Sequence, residues 1–207
     1  MYEDEIEAGS LQDLRVLAVM QALTALHTRS VIDLGCGPGD LLEQLLDEPS
    51  LERIVGLDIA EEPLRLARAR LPEDPRLSLI LGSFTEPAPL LRGFDAAALI
   101  ETIEHIDPGR LGQVEAAVFG FAQPSAVIVT TPNRDYNINY GLGPDEVRHP
   151  DHRFEWGRAR FRKWADRIGE RYGYRARITG IGDLDPGRGQ PTQMAVFVVR
   201  AQSRGAR

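Results

Sequence analysis

The chain has a single cysteine, Cys36, among its 207 residues. An internal disulfide is therefore excluded, and a lone thiol fits a reducing compartment. No apolar run reaches the roughly eighteen residues that a membrane-spanning helix requires. The first residues, Met1-Tyr2-Glu3-Asp4-Glu5, lack the basic and apolar stretches of a signal or transit peptide. A cytoplasmic protein without a membrane partner is the expectation. Repeats, low-complexity tracts and linkers are missing as well. With 43% hydrophobic residues there is material for a full core. Residues 1–207 are expected to form one domain, with 1–10 a flexible acidic tail.

Lysine is almost absent: the 24 basic residues include only Lys163. The net charge of −7 is unevenly spread. Residues 1–133 carry 9 basic and 22 acidic side chains, and residues 134–207 carry 15 and 9. The positive excess lies between Arg148 and Arg177, with 10 basic and 4 acidic residues. An acidic protein is not steered to polyanions at long range, but a local arginine-rich face can hold phosphates. A solvated helix face explains the same pattern.

Apolar residues at helical spacing mark a helix over 11–27. Strands are expected at 30–34, 53–58, 76–81, 95–100, 126–130, 175–179 and 194–200. Helices are expected at 40–47, at 59–71 before Pro72, at 108–121 and at 157–172. The alternation predicts an α/β fold: a Rossmann-like, doubly wound, mostly parallel sheet of seven strands. The Gly/Asp/Pro-rich loop 180–191, which has no helical pattern, allows one antiparallel edge strand. The irregular stretch 132–154 is too long for an ordinary connection and is read as functional.

Asp33-Leu34-Gly35-Cys36-Gly37-Pro38-Gly39 leaves a strand and opens a helix. Ligands in open parallel sheets bind beyond the carboxyl ends of the strands, and glycines admit them close to the backbone. Asp58, about twenty residues on, can accept from ribose hydroxyls. A GxGxG run alone fits a nicotinamide site too. The leading Asp33, and the lack of a glycine at the third dinucleotide position, favour S-adenosylmethionine. Ser83 is placed near the adenine; a turn serine is the plainer explanation. The expected cofactor-binding set is Asp33, Gly35, Cys36, Gly37, Asp58, Ser83 and Ile100.

Glu101-Thr102-Ile103-Glu104-His105 follows a buried strand. Its acids and imidazole, at i, i+3 and i+4, fall on one face of a helical turn. Mixed oxygen and nitrogen donors suit a divalent transition ion better than calcium or magnesium. His149 and His152 lie downstream in Arg148-His149-Pro150-Asp151-His152-Arg153-Phe154-Glu155-Trp156. Two carboxylates and two imidazoles would leave a six-coordinate ion two positions for substrate oxygens. Neither a zinc finger nor an HExxH protease fits this spacing.

Glu101-Thr102-Ile103-Glu104-His105-Ile106, Thr131-Pro132-Asn133-Arg134-Asp135-Tyr136-Asn137 and the segment from Arg148 to Trp156 together resemble the catalytic domain of the small-RNA 3′-terminal 2′-O-methyltransferases. That family acts on plant microRNAs and animal piRNAs and has bacterial relatives in RNA repair. The resemblance runs in order from about Leu11 to Val199. It implies the class I S-adenosylmethionine-dependent fold, with a divalent ion (Mn²⁺, Co²⁺ or Mg²⁺) on Glu101, Glu104, His105 and His152. It implies an RNA 3′ end with free 2′- and 3′-hydroxyls as substrate. His149, if it is not a ligand, is the candidate catalytic base, and Arg15 matches an arginine of the family's leading helix. The bacterial relatives carry a further N-terminal region and the plant enzyme RNA-binding domains, so an additional domain or an RNA-repair partner is expected outside this chain. Two rival readings follow from the same residues: a metal-dependent O-methyltransferase of a small catechol-like diol, and a non-catalytic module that binds RNA ends.

Overall fold

The computed structural model describes residues 10–200; the expected acidic tail lies almost wholly outside them. Ser10 opens helix α1 (Leu11–Ala25) with a reciprocal cap, its hydroxyl accepting from Asp13 N while the Asp13 carboxylate accepts from Ser10 N. Such a cap satisfies two of the amides a helix start leaves free. The parallel strands are β1 (Ser30–Leu34), β2 (Arg53–Asp58), β3 (Leu77–Leu81), β4 (Ala96–Ile100) and β5 (Ala126–Pro132). Between them lie α2 (Asp40–Leu46), α3 (Glu61–Arg70) and α4 (Leu111–Glu115). Helix α5 (Arg158–Tyr172) precedes β6 (Tyr174–Ile181) and β7 (Thr192–Val199).

The sheet order is β3-β2-β1-β4-β5-β7-β6. β1 pairs in parallel with both β2 and β4, so the winding reverses there and opens a crevice at the strand ends. The expected antiparallel strand is β7, one place in from the rim, with β6 outside it. Both run longer than their most apolar stretches, because each rung between Tyr174↔Val199 and Ile181↔Thr192 extends the ladder.

Alternating side chains of β1 show how the core divides. Val31 packs with α1, α2 and α3 on one face, and Ile32 and Leu34 pack with α4 and α5 on the other. The helix expected over 108–121 is shorter and broken: α4 passes into a π-helical stretch, Ala116–Ala122. At the junction the buried Glu115 accepts from Trp164 Nε1 at 2.9 Å and from Arg167 Nη2 at 2.8 Å. This fastens α5, and it pairs one of the cations of the arginine-rich stretch. No helix among the described residues is long and apolar enough to cross a membrane.

Candidate active site and metal centre

A cleft of 770 Å³ opens at the carboxyl ends of β1, β2, β3 and β4. Asp33, Gly35, Cys36, Gly37, Asp58, Ser83 and Ile100 all line it, as do Glu101 and His105. The loop after β1 turns through Gly35 (φ +84°) and Gly37 (φ +53°). A Cβ on Gly35 would meet Thr102 Cγ2 at 2.7 Å, so glycine is required for the loop to lie against the segment Glu101–His105. A Cβ on Gly37 would meet no protein atom within 4 Å, which leaves that backbone face open to a ligand.

Asp58 holds the loop in place, its Oδ2 accepting from Gly37 N at 2.9 Å and its Oδ1 from Ala60 N at 2.8 Å. The Ser83 hydroxyl does serve a turn, accepting from Thr85 N at 3.1 Å, and still lines the cleft. Asp33 is buried with Oδ1 unpartnered. Burial, then the charges of Asp58 and Asp40, push its carboxyl up to about 7. Burial also pushes the Cys36 thiol well up, so it is an inert wall of the cleft rather than a nucleophile.

At the rim of this cleft the chain gathers Glu104, His105 and His152, whose ligand atoms lie within 4.8 Å of one another. Glu104 is fully buried, with Oε2 accepting from Thr131 Oγ1 at 3.0 Å and Oε1 left without a partner. Burial, then Glu101 beside it, hold its carboxyl well above the usual range. The rings of His105 and His152 meet edge to face at 4.8 Å. Burial, then His152, lower the His105 pKa and favour the neutral, ligating form.

His152 comes from far along the chain and is delivered by pinning its loop to the sheet. Arg153 N donates to Glu104 O at 2.7 Å, and Arg134 N donates to Trp156 O at 3.2 Å. His152 Nδ1 lies 2.6 Å from Glu155 Oε1. Burial would raise the Glu155 carboxyl; hydrogen bonds from His152, Asn137 and the Arg148 backbone outweigh it and hold the group below its ordinary value. A carboxylate on one ring nitrogen orients the other nitrogen towards a ligand.

Glu101 is not drawn into this group. It has φ +48° and precedes the short 3₁₀ turn Ile103–His105, so the three residues do not share one helical face. Arg15 Nη2 lies 3.0 Å from Glu101 Oε2, and Thr130 Oγ1 donates to Glu101 Oε1 at 2.9 Å. Burial raises the Glu101 pKa and Arg15 opposes that rise. His149 stands beside the cluster, its ring 5.6 Å from that of His152 and 6.1 Å from that of His105. Its Nδ1 accepts from Asp151 N at 3.2 Å.

Several site residues were not singled out from the sequence. Thr130, Thr131 and Asn137 hold the carboxylates, and Arg148 is spent within the fold on Asn137 Oδ1, Asn133 O and Pro191 O at 2.7–2.8 Å. Thr131, Asn137 and Arg148 stood in the motifs that carry the family resemblance, but with no role attached, and Thr130 stood only at the end of an apolar strand.

Residues 31–124 match a family described as "Methyltransferase domain". The small RNA 2′-O-methyltransferase of Gallus gallus is 38% identical over 184 residues, 82% of this chain and 49% of that protein. The chain thus spans about half the length of the curated relatives it matches. The crystal structure of the methyltransferase domain of bacterial CtHen1-C is 43% identical, with a TM-score of 0.84 over 93% of this chain and 100% of that one. The small RNA methyltransferase HEN1 structure is 29% identical, with a TM-score of 0.86 over 98% of this chain and 27% of its own.

Proposed function

The chain belongs to the family of the small RNA 2′-O-methyltransferases, and on that premise we propose that it transfers a methyl group from S-adenosylmethionine to the 2′-hydroxyl of the 3′-terminal nucleotide of an RNA. The observation that carries this reading is Glu104: a fully buried carboxylate with one unpartnered oxygen, set against two imidazoles at the rim of the cofactor cleft. An unpaired buried carboxylate is costly, and a cation relieves the cost.

The donor set fits a divalent ion held by Glu104, His105 and His152, with Glu101 as the fourth ligand the family implies. Imidazole ligands favour Mn²⁺ or Co²⁺ over Mg²⁺. When bound, such an ion supplies the charge that lowers the pKa of a hydroxyl in contact with it. Asp58 accepts from the ribose hydroxyls of the cofactor, and the open face at Gly37 admits it. His149, beside the cluster, is the base for the proton of the 2′-hydroxyl. The remaining rate enhancement is positional, since holding two reactants aligned is worth on the order of 7–11 kcal/mol in favourable cases.

The test is transfer from labelled S-adenosylmethionine to single-stranded RNA with a 3′-hydroxyl, followed by periodate. The expected product carries label at its end and resists periodate, because a methylated 2′-oxygen destroys the oxidisable diol. EDTA should abolish the reaction and Mn²⁺ or Co²⁺ restore it. Label on internal nucleotides, or full activity in excess EDTA, contradicts the reading.

A further inference from the structure

An aromatic and apolar surface follows β5, outside the cofactor cleft. In the turn Arg134–Tyr140, Tyr136 and Tyr140 place their ring centroids 5.5 Å apart. Ile138 is 59% exposed, Tyr140 51% and Leu184 68%. Asn139 Nδ2 donates to Asp185 Oδ2 at 3.2 Å, joining the two segments that carry them. Large apolar side chains exposed together mark a binding surface.

Tyr140 is held in place. The Arg148 guanidinium carbon lies 4.9 Å from its ring centre, and that guanidinium is fixed by its bonds to Asn137, Asn133 and Pro191. The backbone of Arg148 donates to Glu155 Oε1 at 2.8 Å, the same oxygen that holds His152 Nδ1. One residue therefore joins the exposed ring to the carboxylate that orients a ligating imidazole.

Topology identifies the occupant. The cofactor cleft takes the ends of β1 to β4, which leaves the end of β5 beside it to the methyl acceptor. The metal segment follows β4, and Tyr140 follows β5. A half-exposed aromatic ring braced by a fixed arginine at the acceptor end of the sheet suits an unstacked base of single-stranded nucleic acid, because every base has a π face.

We propose that Tyr140 is the platform on which the base of the RNA's 3′-terminal nucleotide stacks, placing its ribose at the Glu104–His105–His152 cluster. The proposal rests on the function proposed above and adds a positioning residue with little sequence preference.

The experiment uses the whole chain with a short single-stranded RNA ending in 2-aminopurine, whose fluorescence falls on stacking. A second RNA has an abasic 3′-terminal ribose that retains both hydroxyls. Tyr140→Ala should raise KM by about tenfold, the usual scale of one lost base–aromatic stack, and should remove the quenching; Tyr140→Phe should preserve both. The abasic RNA should show the same rise in KM with the unaltered chain and no further rise with Tyr140→Ala, as two changes to one contact must. Failure of the unaltered chain to methylate any RNA end would refute the function itself. Methylation by the unaltered chain with KM and quenching unchanged in Tyr140→Ala would overturn the platform alone. Additive losses, or a change of oligomeric state in Tyr140→Ala with RNA kinetics intact, would overturn it too; the latter would make the surface a protein contact.

Discussion

Glu155 Oε1 stands 2.6 Å from His152 Nδ1, and the Glu155 side chain is wholly enclosed while doing so. The pair fixes the imidazole so that Nε2 is the nitrogen presented to the cluster. Outer partners of this kind are commonly worth about 10- to 100-fold in metal affinity. Glu155→Ala should weaken Mn²⁺ or Co²⁺ binding by that factor, read by calorimetry on folded protein. Unchanged affinity would mean that His152 is oriented by its loop alone.

The cofactor loop yields an independent test. Gly37 has φ +53° and faces open space, so Gly37→Val both strains the backbone and fills the cleft. S-adenosylmethionine affinity should fall at least about tenfold, while metal titration stays as it was. Asp58→Ala should do the same, by freeing Gly37 N and removing the ribose acceptor. Unaltered cofactor affinity in both variants would displace the pocket.

Asp33 gives a pH signature. Its folded pKa of about 7 lies above the ordinary 3.8, so the folded state binds the proton more tightly than the unfolded chain does. That contribution is fully present below about pH 4 and is lost as pH rises through 7. Asp33→Asn removes the dependence. Urea midpoints of the cofactor-free protein should show the variant gaining on the unaltered chain between pH 4 and 8, then running parallel above. A constant difference across that range would show that Asp33 is not held protonated.

Much of the architecture was legible because its signals are local. Val31-Ile32 and Ile54-Val55 are apolar runs ending near Asp33 and Asp58, and the expected strands 30–34 and 53–58 match the observed bounds. The π-helical stretch was not legible, since Ala116–Ala122 is as apolar as an α-helix would be. In the site, the glycine loop and Glu104, His105 and His152 could be named from residue type and order. The conformation of Glu101 could not. Its backbone is set by Thr130, 29 residues away, and its carboxylate by Arg15 on the first helix. Arg148 reads as part of a free basic face, and the fold instead spends its guanidinium on three oxygens. Long-range hydrogen bonds of this kind leave no periodicity for a sequence to display.

In the proposed reaction the terminal ribose is recognised through both of its hydroxyls at the cluster formed by Glu104, His105 and His152. The most direct measurement compares methyl transfer to RNAs that differ only at the last 3′ position: hydroxyl, hydrogen or phosphate. The neighbouring 2′-hydroxyl is intact in all three. The account predicts methylation of the 3′-hydroxyl RNA and loss of methylation at the other two ends. Comparable methylation of the 3′-hydroxyl and 3′-deoxy RNAs would contradict it.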